Sequence, residues 1–322
     1  MAFIFYNMIK YEMSGEIMFK NTIDNKRYYT LNCFFRRKFG SKVFKVPLDI
    51  GSSCPNYASG GCIYCSGRSA SNISDGSMDI VSQFNKAKDI MERKWPNSLY
   101  IAYFQSGTNT YGNIQDFKNM VDKLLVIDKV VGVSIATRPD ALSDEWLDYL
   151  SELNKQTFLT IELGLQSSND NTLKYINRGH DVKCFTEAVK ELKERSIFTV
   201  AHIINGLPNE TKEDMINTVK YLNNLGIDGI KIHMLYIPKN TKLASIYEKK
   251  NFHVLSRDEY VDIVCEELRY LNENIVVERI TGDPIADELI APTWLVKKFC
   301  VLNEIDKEMV KRNIYQSDLV RD

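Results

Sequence analysis

From residue 42 to residue 236 the chain alternates between two hydrophobic rhythms. Short apolar-rich runs with strand character cover 42–50, 98–105, 130–137, 158–166, 198–205 and 229–236. Between them, over 78–94, 114–125, 143–154, 181–195 and 211–225, apolar residues recur at three- and four-residue intervals. These periods predict strands and amphipathic helices respectively. Ser143 and Thr211, or Asn209 ahead of it, supply the side-chain oxygen that caps a helix start. Six strands separated by helices predict an α/β fold with a parallel sheet, wound open or closed into a barrel. After residue 250 the alternation stops. A helix begun by Ser256 is expected over 256–272, an extra strand over 275–280, and two short helices over 292–302 and 304–313. The expected organisation is an N-terminal arm over 1–27, a barrel over 28–250 and a small C-terminal α/β extension over 251–322.

The totals add little to this. A chain of 322 residues fits one large barrel-type domain or two ordinary ones. Its 44% apolar and 26% charged content is that of a soluble globular protein, and its net charge of −1 gives no overall pull toward nucleic acid. No stretch approaches the roughly 18 apolar residues of a membrane span. The first 20 residues lack the basic start and long apolar core of a signal peptide, and read as a loose arm or as a stretch ahead of a functional start at Met18. Charge is uneven, however. Residues 20–45 carry Lys20, Lys26, Arg27, Arg36, Arg37, Lys38, Lys42 and Lys45 against Asp24 alone, a local net of +7. Tyr28, Tyr29, Phe34, Phe35 and Phe39 interleave with them. Such a pattern suits a phosphate backbone with exposed bases, or a solvated helix face whose aromatics pack on the barrel.

The chemistry concentrates after the first strand, in Leu48-Asp-Ile-Gly-Ser-Ser-Cys-Pro-Asn-Tyr-Ala-Ser-Gly-Gly-Cys-Ile-Tyr-Cys-Ser-Gly67. Three of the seven cysteines, Cys54, Cys62 and Cys65, share this loop of glycine, serine and proline. Clustered cysteines in odd number argue against a disulfide framework and for a reducing compartment. A structural zinc wants four protein ligands, yet the next cysteine is Cys184 and the first histidine His180. An iron–sulfur cluster takes four thiolates as a rule; three leave one iron free for a substrate or cofactor. Burial of three inert cysteines suits a loop of this composition poorly. The isolated Cys33, Cys184, Cys265 and Cys300 read as core or incidental residues.

This loop, with the aromatic Tyr64 ahead of its last cysteine, resembles the cluster loop of radical SAM enzymes. Its spacing is C-x7-C-x2-C where the superfamily's usual form is C-x3-C-x2-C. The expanded first interval resembles the YhcC/YtqA-like branch, which is akin to the catalytic subunit of Elongator. The stretch before the loop, YYTLNCFFRRKFGSKVFKVPLDIG, resembles the same branch. The resemblance implies a partial (β/α)6 TIM-type barrel, a [4Fe–4S] cluster held by Cys54, Cys62 and Cys65, and S-adenosylmethionine (SAM) bound to the fourth iron. Reduction of that centre releases a 5′-deoxyadenosyl radical.

In parallel α/β barrels the site lies where the strands end, and the odd residues of this chain fall there. The second strand ends in Gln105-Ser-Gly-Thr-Asn-Thr-Tyr111, a polar rim or a capped turn. By resemblance this is the place of the SAM-amino-binding motif, with Gln105, Ser106, Thr108 and Asn109 as its polar members. The third ends in Ala136-Thr-Arg-Pro-Asp140, a motif shared with the Elongator-like branch. Pro139 fixes Arg138 at the tip, where its planar fork suits a carboxylate or phosphate or forms a surface ion pair. The fourth gives Glu162-Leu-Gly-Leu-Gln-Ser167, followed by Arg178-Gly-His180. This resembles a pattern shared with coproporphyrinogen-oxidase-like radical SAM enzymes. There Gln166 would bind the ribose side of SAM and Arg178, twelve residues on, its carboxylate. Glu162 either touches the cofactor or is a satisfied buried acid, and His180 either opens a helix or serves the chemistry. The fifth strand carries His202 and ends in a GLP-x-E turn that would stack adenine on backbone. His202 stands where the porphyrin-pathway relatives have an acid, and binds adenine or ribose or is a core histidine. The sixth carries His233 and ends in Tyr236, which faces substrate or packs the barrel.

Taken with the resemblance, the expected function is a cytoplasmic radical SAM enzyme that remodels the carboxymethylaminomethyl side chain on the wobble uridine of tRNA, as in the MnmL type. Its implied partners are tRNA, an electron donor such as flavodoxin or ferredoxin, and a tRNA methyltransferase acting downstream. Two other classes are weighed against it: a radical SAM enzyme for a small metabolite, and a non-catalytic metal-cluster module.

Overall fold

The computed structural model describes residues 19–67, 76–250 and 252–320. The first 18 residues of the expected arm, Met18 among them, lie outside the described residues. Seven parallel strands form one curled sheet in the order β1 (Val43–Leu48), β2 (Leu99–Phe104), β3 (Val130–Thr137), β4 (Phe158–Gln166), β5 (Phe198–Asn205), β6 (Gly229–Met234) and β8 (Val276–Arg279). A short antiparallel ribbon, β7 (Ile237–Pro238) with β9 (Leu289–Ala291), sits beside it. The strand expected in the C-terminal extension is therefore the seventh of the main sheet, pairing parallel with β6.

Helices Ile80–Lys94, Ile114–Leu125, Asp144–Gln156, Val182–Glu194 and Lys212–Leu225 follow β1 to β5 and cover the outer face. Each begins at a side-chain cap: Asp79, Asn113, Ser143, Asp181 and Thr211. One residue of each alternating pair on the strands points at these helices. Tyr100, Ala102 and Phe104 of β2, Val133 and Ile135 of β3, and Leu159, Ile161, Leu163 and Leu165 of β4 pack there with Phe84, Phe117, Leu150 and Phe185 in one continuous core. Helix Arg257–Tyr270 and helix Lys298–Lys311 extend that core on the far side.

The other residue of each pair points into the lumen, which is layered along the strands. At the bottom, where the strands begin, helix Leu31–Phe39 closes the barrel. Its Phe34 ring lies 5.0 Å from Phe198 and 5.9 Å from Phe158, and Phe39 lies 5.7 Å from Phe158. Phe35, Val43 and Ile101 join this aromatic plug.

Of the two readings of the basic segment, this packing is that of a helix whose aromatics lie on the barrel, away from the cysteine loop. The helix precedes β1 and the cysteine loop follows it. They lie at opposite ends of a six-residue strand, about 20 Å apart at 3.3 Å per residue. Most of the segment's cations are also engaged within the fold. Arg37 donates to Asn21 Oδ1 at 2.7 Å and to the Lys20 carbonyl at 2.9 Å. Arg27 reaches Asn313 Oδ1 at 3.0 Å. Lys26 pairs with Asp306 and Lys20 with Glu273. Lys38 lies 4.6 Å over the Phe158 ring.

Above the plug, the strands contribute a polar layer. Glu162 of β4, 1% exposed, accepts from Lys45 of β1 (2.8 Å), Tyr103 of β2 (2.7 Å), Ser134 of β3 (3.0 Å), His202 of β5 (2.9 Å) and Lys231 of β6 (2.5 Å). Glu278 of β8 accepts from Lys45 at 2.6 Å. Every strand of the main sheet thus contributes a side chain to one buried network. No helix among the described residues is long and apolar enough to cross a membrane.

Candidate cluster and cofactor site

β1 delivers the chain to the top of the barrel, where the cysteine loop folds back on itself. Cys54 precedes a 3-10 turn over Pro55–Ser59, and its carbonyl accepts from Tyr57 N at 3.0 Å. Cys65 N donates to the Cys62 carbonyl at 3.1 Å. The segment after β4 clamps this loop. Asn56 Nδ2 donates to the Asn177 carbonyl at 2.7 Å. Asn177 Nδ2 returns bonds to the carbonyls of Gly61 (2.7 Å) and Ser59 (3.0 Å). Lys242 Nζ holds the Gly60 carbonyl at 2.7 Å. On the β2 side the backbones nearly touch: a Cβ on Gly107, which has a positive φ, would lie 2.3 Å from the Ser52 carbonyl oxygen. A side chain there would push the loop off the barrel.

The three thiols are free, two half-buried and Cys65 exposed. Each sulfur faces a hydrogen-bond donor. Arg138 Nη1 lies 3.9 Å from Cys54 Sγ, Arg178 Nη1 3.8 Å from Cys62 Sγ, Asn56 Nδ2 3.4 Å from Cys62 Sγ, and Tyr57 OH 3.5 Å from Cys65 Sγ. Burial and the neighbouring Cys65 push the Tyr57 phenol up, so it stays a donor. Cations and donors around a thiol set favour its anionic, metal-binding form. The chemistry of this donor set suits an iron–sulfur cluster with one corner left open, although among the described residues the three sulfurs are not drawn together into a group placed to hold a metal ion.

Those sulfurs open onto a cavity of about 420 Å3 across the ends of β1 to β5. Gln105, Ser106 and Thr108 line it from the β2 loop, Arg138 from β3, and Glu162 and Gln166 from β4. Arg178 and His202 complete the wall. Asn109 stands apart. It is buried, and its Nδ2 donates to the carbonyls of Phe104 (3.0 Å) and Ala136 (2.8 Å), bracing the ends of β2 and β3. Arg138 is committed rather than free: its fork grips Asp140 through Nε (2.8 Å) and Nη2 (2.7 Å), 3% exposed. A groove of about 640 Å3 at the barrel bottom, walled by Lys38, Phe158 and Phe198, contains none of the candidate residues.

Gln166 and Arg178 meet at Gly164. Arg178 Nη2 donates to the Gly164 carbonyl at 2.7 Å, while its buried Nε has no partner among the described residues. A Cβ on Gly164 would stand 2.6 Å from Arg178 Nη2 and 2.7 Å from Gln166 Nε2, so a side chain there would displace both. Gln166 itself has φ 77°, where the pairing of β4 with β5 slips by one residue. A left-handed glutamine at a strand end is costly backbone of the kind found at ligand sites. Its amide makes no hydrogen bond to the described protein.

Glu162 is satisfied within the protein and also floors the cavity. Burial alone would raise its carboxyl; Lys231, Lys45 and His202 outweigh that and hold it well below the usual carboxylate range. A carboxylate only accepts, so His202 Nε2 carries the proton between them. Burial also holds His202 and His233 below the ordinary histidine value, so both are neutral. His180 is lowered to about 4, mainly by burial, and is neutral as well.

Beside the cavity lies a chamber of about 200 Å3 sharing Tyr64, Gln166 and His202 with it, and closed by Ile204, His233, Met234, Leu235 and Tyr236. The sequence reading missed this chamber's depth, the asparagine clamp and the lysines of the lumen. Lysines at strand positions that alternation points inward, Lys45 and Lys231, are the signal that would have found the network.

Comparison with known proteins agrees with this geometry. The profile of the Radical SAM superfamily matches residues 50–222, and that of the radical SAM C-terminal domain matches residues 227–311. The chain belongs to the radical SAM superfamily. It is 45% identical over 299 residues to YtqA of Bacillus subtilis, covering 90% of this chain and 92% of YtqA. It is 26% identical over 168 residues to a tRNA-2-methylthio-N(6)-dimethylallyladenosine synthase of Fusobacterium nucleatum, covering 49% of this chain and 38% of the synthase. Among solved structures, Elp3 of the archaeon Methanocaldococcus infernus superposes with a TM-score of 0.68 at 18% identity, over 86% of this chain and 64% of that one, and shares the fold. The cofactors are those of the superfamily, a [4Fe–4S] cluster and SAM.

Proposed function

We propose that Cys54, Cys62 and Cys65 hold the cluster, and that the enzyme modifies the C5 side chain of the wobble uridine in tRNA. The observation that carries the site is the set of three sulfurs, each facing a donor, at the mouth of a cavity walled by the ends of five strands. When bound, the cluster and SAM supply one-electron cleavage and removal of a hydrogen atom from a C–H bond. The chain's own residues do the rest. Gln166 offers its free amide to the ribose side of SAM, and the unpartnered Arg178 Nε an acceptor's place. Gln105, Ser106 and Thr108 form the polar wall for the amino-acid end. The tRNA assignment is supported by the Fusobacterium relative, whose name is that of a tRNA-modifying enzyme, and by the likeness to the Elongator-type branch. An electron donor of the flavodoxin or ferredoxin class is the expected partner. A small-metabolite substrate is the second reading, favoured by the bottom-end position of the basic helix, which removes one reason for expecting RNA.

Protein purified anaerobically should carry about four irons per chain if one cubane is bound. Replacing any of Cys54, Cys62 or Cys65 by Ala should abolish them, and Cys300→Ala should not. Reduced protein should cleave SAM to methionine and 5′-deoxyadenosine. Mass analysis of tRNA nucleosides from a strain lacking the protein should show an unremodelled wobble uridine. Unchanged nucleosides would leave the family standing and remove tRNA as substrate.

A further inference from the structure

The chamber between the ends of β5 and β6 has a composition unlike that of the cluster cavity. None of its lining residues is formally charged at neutral pH, since both histidines are neutral. The charged groups beneath it are spent on one another: Lys45 and Lys231 on Glu162 and Glu278. A charged metabolite placed there would find no free counter-ion, and burying an unpaired charge is costly. What the chamber offers instead is hydrogen bonding and aromatic surface. Among the described residues His233 Nε2 is buried with no partner, and the Gln166 amide makes no bond. Tyr64 and Tyr236 supply two rings, and Ile204, Met234 and Leu235 an apolar wall. At about 200 Å3 it is smaller than the roughly 300–1,000 Å3 of an ordinary small-molecule site. It has room for one planar ring with a short substituent.

We infer that this chamber is a nucleobase pocket: it takes a single pyrimidine ring turned out of an RNA loop, with Tyr236 against its face and His233 Nε2 on its edge. This rests on the tRNA reading above. Proteins that act on a base in RNA take it out of the stack and read its edge by hydrogen bonds while an aromatic covers its face. A neutral ring with alternating donors and acceptors meets the chamber's chemistry without importing charge. The shared walls, Tyr64, Gln166 and His202, bring the ring's substituent beside the cofactor cavity, where hydrogen would be removed.

The test uses cluster-loaded protein with SAM, kept anaerobic, and two RNA hairpins with the sequence of an anticodon stem–loop. One has uridine at the wobble position; the other is abasic there. Fluorescence anisotropy should show the uridine hairpin binding about tenfold or more tightly, the size of a lost base–aromatic stack. Tyr236→Leu and His233→Leu should each bring the uridine hairpin toward the abasic level, and Tyr236→Phe should restore the difference. Iron content equal to the parent's shows that a variant is folded. A 4-thiouridine at the same position of the parent complex should crosslink to the peptide containing His233 and Tyr236, which needs no variant. Equal binding of both hairpins by the parent, or a crosslink elsewhere, overturns the chamber assignment and leaves tRNA as substrate. Failure to bind either hairpin overturns both readings.

Discussion

Arg178 is 6% exposed, and no carboxylate among the described residues pairs with it. A buried cation without an anion costs several kcal/mol. Its neighbour is the Cys62 sulfur at 3.8 Å, which as a ligand of the proposed cluster would balance the charge, as would the carboxylate of SAM. Arg178→Met should therefore make the cluster harder to reduce, because an adjacent positive charge no longer favours the added electron. An electron-paramagnetic-resonance redox titration should show the midpoint moving to more negative potential. The variant should also narrow the gap in thermal stability between cluster-loaded and cluster-free protein, on the order of 1–3 kcal/mol. An unmoved potential would return Arg178 to SAM alone. The sequence shows Arg178 through its distance from Gln166, but not its sulfur partner, which a loop 116 residues away brings to it. Asn56 and Asn177 were invisible for another reason. In a loop, asparagine reads as a turn residue whether or not its amide holds something. Arg138 was legible as a strand-tip residue, and its tie to Asp140 was within reach, two positions on in the same motif.

Helix Arg257–Tyr270 carries a second buried acid. Glu267 falls on the helix face that buries Tyr260, Val264 and Leu268. It accepts from Asn205 Nδ2 at 2.7 Å, while Oε1 has no partner among the described residues. Burial raises its carboxyl to about 8, with Asn205 opposing and Glu210 adding. Burial likewise raises Glu210 to about 7, against its bonds from Ser167 and Thr172. Both acids hold in the fold a proton that the unfolded chain has released above the ordinary value of 4.5. Their stabilisation is complete below that value and is lost as pH rises to about 7 and 8. Tm should fall across this window, at about 1.4 kcal/mol per pH unit for each proton involved. Glu267→Gln keeps an acceptor for Asn205 and removes the titration, so its Tm should decline less between pH 6 and 8. A slope identical to the parent's would mean that Glu267 is already ionised in the fold. At this scale the sequence was most informative. Periodicity located the helices and strands because helix packing decides their outer faces. It left helix Leu31–Phe39 undecided between two readings, since aromatics set among cations look the same whether they stack on bases or on Phe158 and Phe198.

The barrel as a whole was legible up to its last strand. Six strands stand out because an amphipathic helix lies between each and the next, with the short helix Asp170–Tyr175 added between β4 and β5. The seventh, β8, is reached from β6 through the ribbon strand β7 and the helices Lys242–Lys250 and Arg257–Tyr270, so the rhythm breaks although the sheet continues. The sheet does not close. β1 and β8 are its edges, and the network's Lys45–Glu278 ion pair, 2.6 Å, spans them. Below it, Thr30 bridges to Val277 just ahead of the plugging helix.

A strip joined in this way behaves mechanically as a spring clip. Its lower ends are gripped by the aromatic plug and its middle is pinned by one ion pair. Above the pin, the jaws are held by side chains rather than by a ladder of backbone bonds. The mouth is then expected to loosen before the base, which on the proposed tRNA reading would let a polymer be laid in sideways with no free end to thread. Glu278→Gln loosens the pin, and amide hydrogen exchange should quicken in β1 and β8 while β3, β4 and β5 keep their protection. Exchange that rises equally in all the strands would describe a closed hoop losing stability, not a clip relaxing at its jaws.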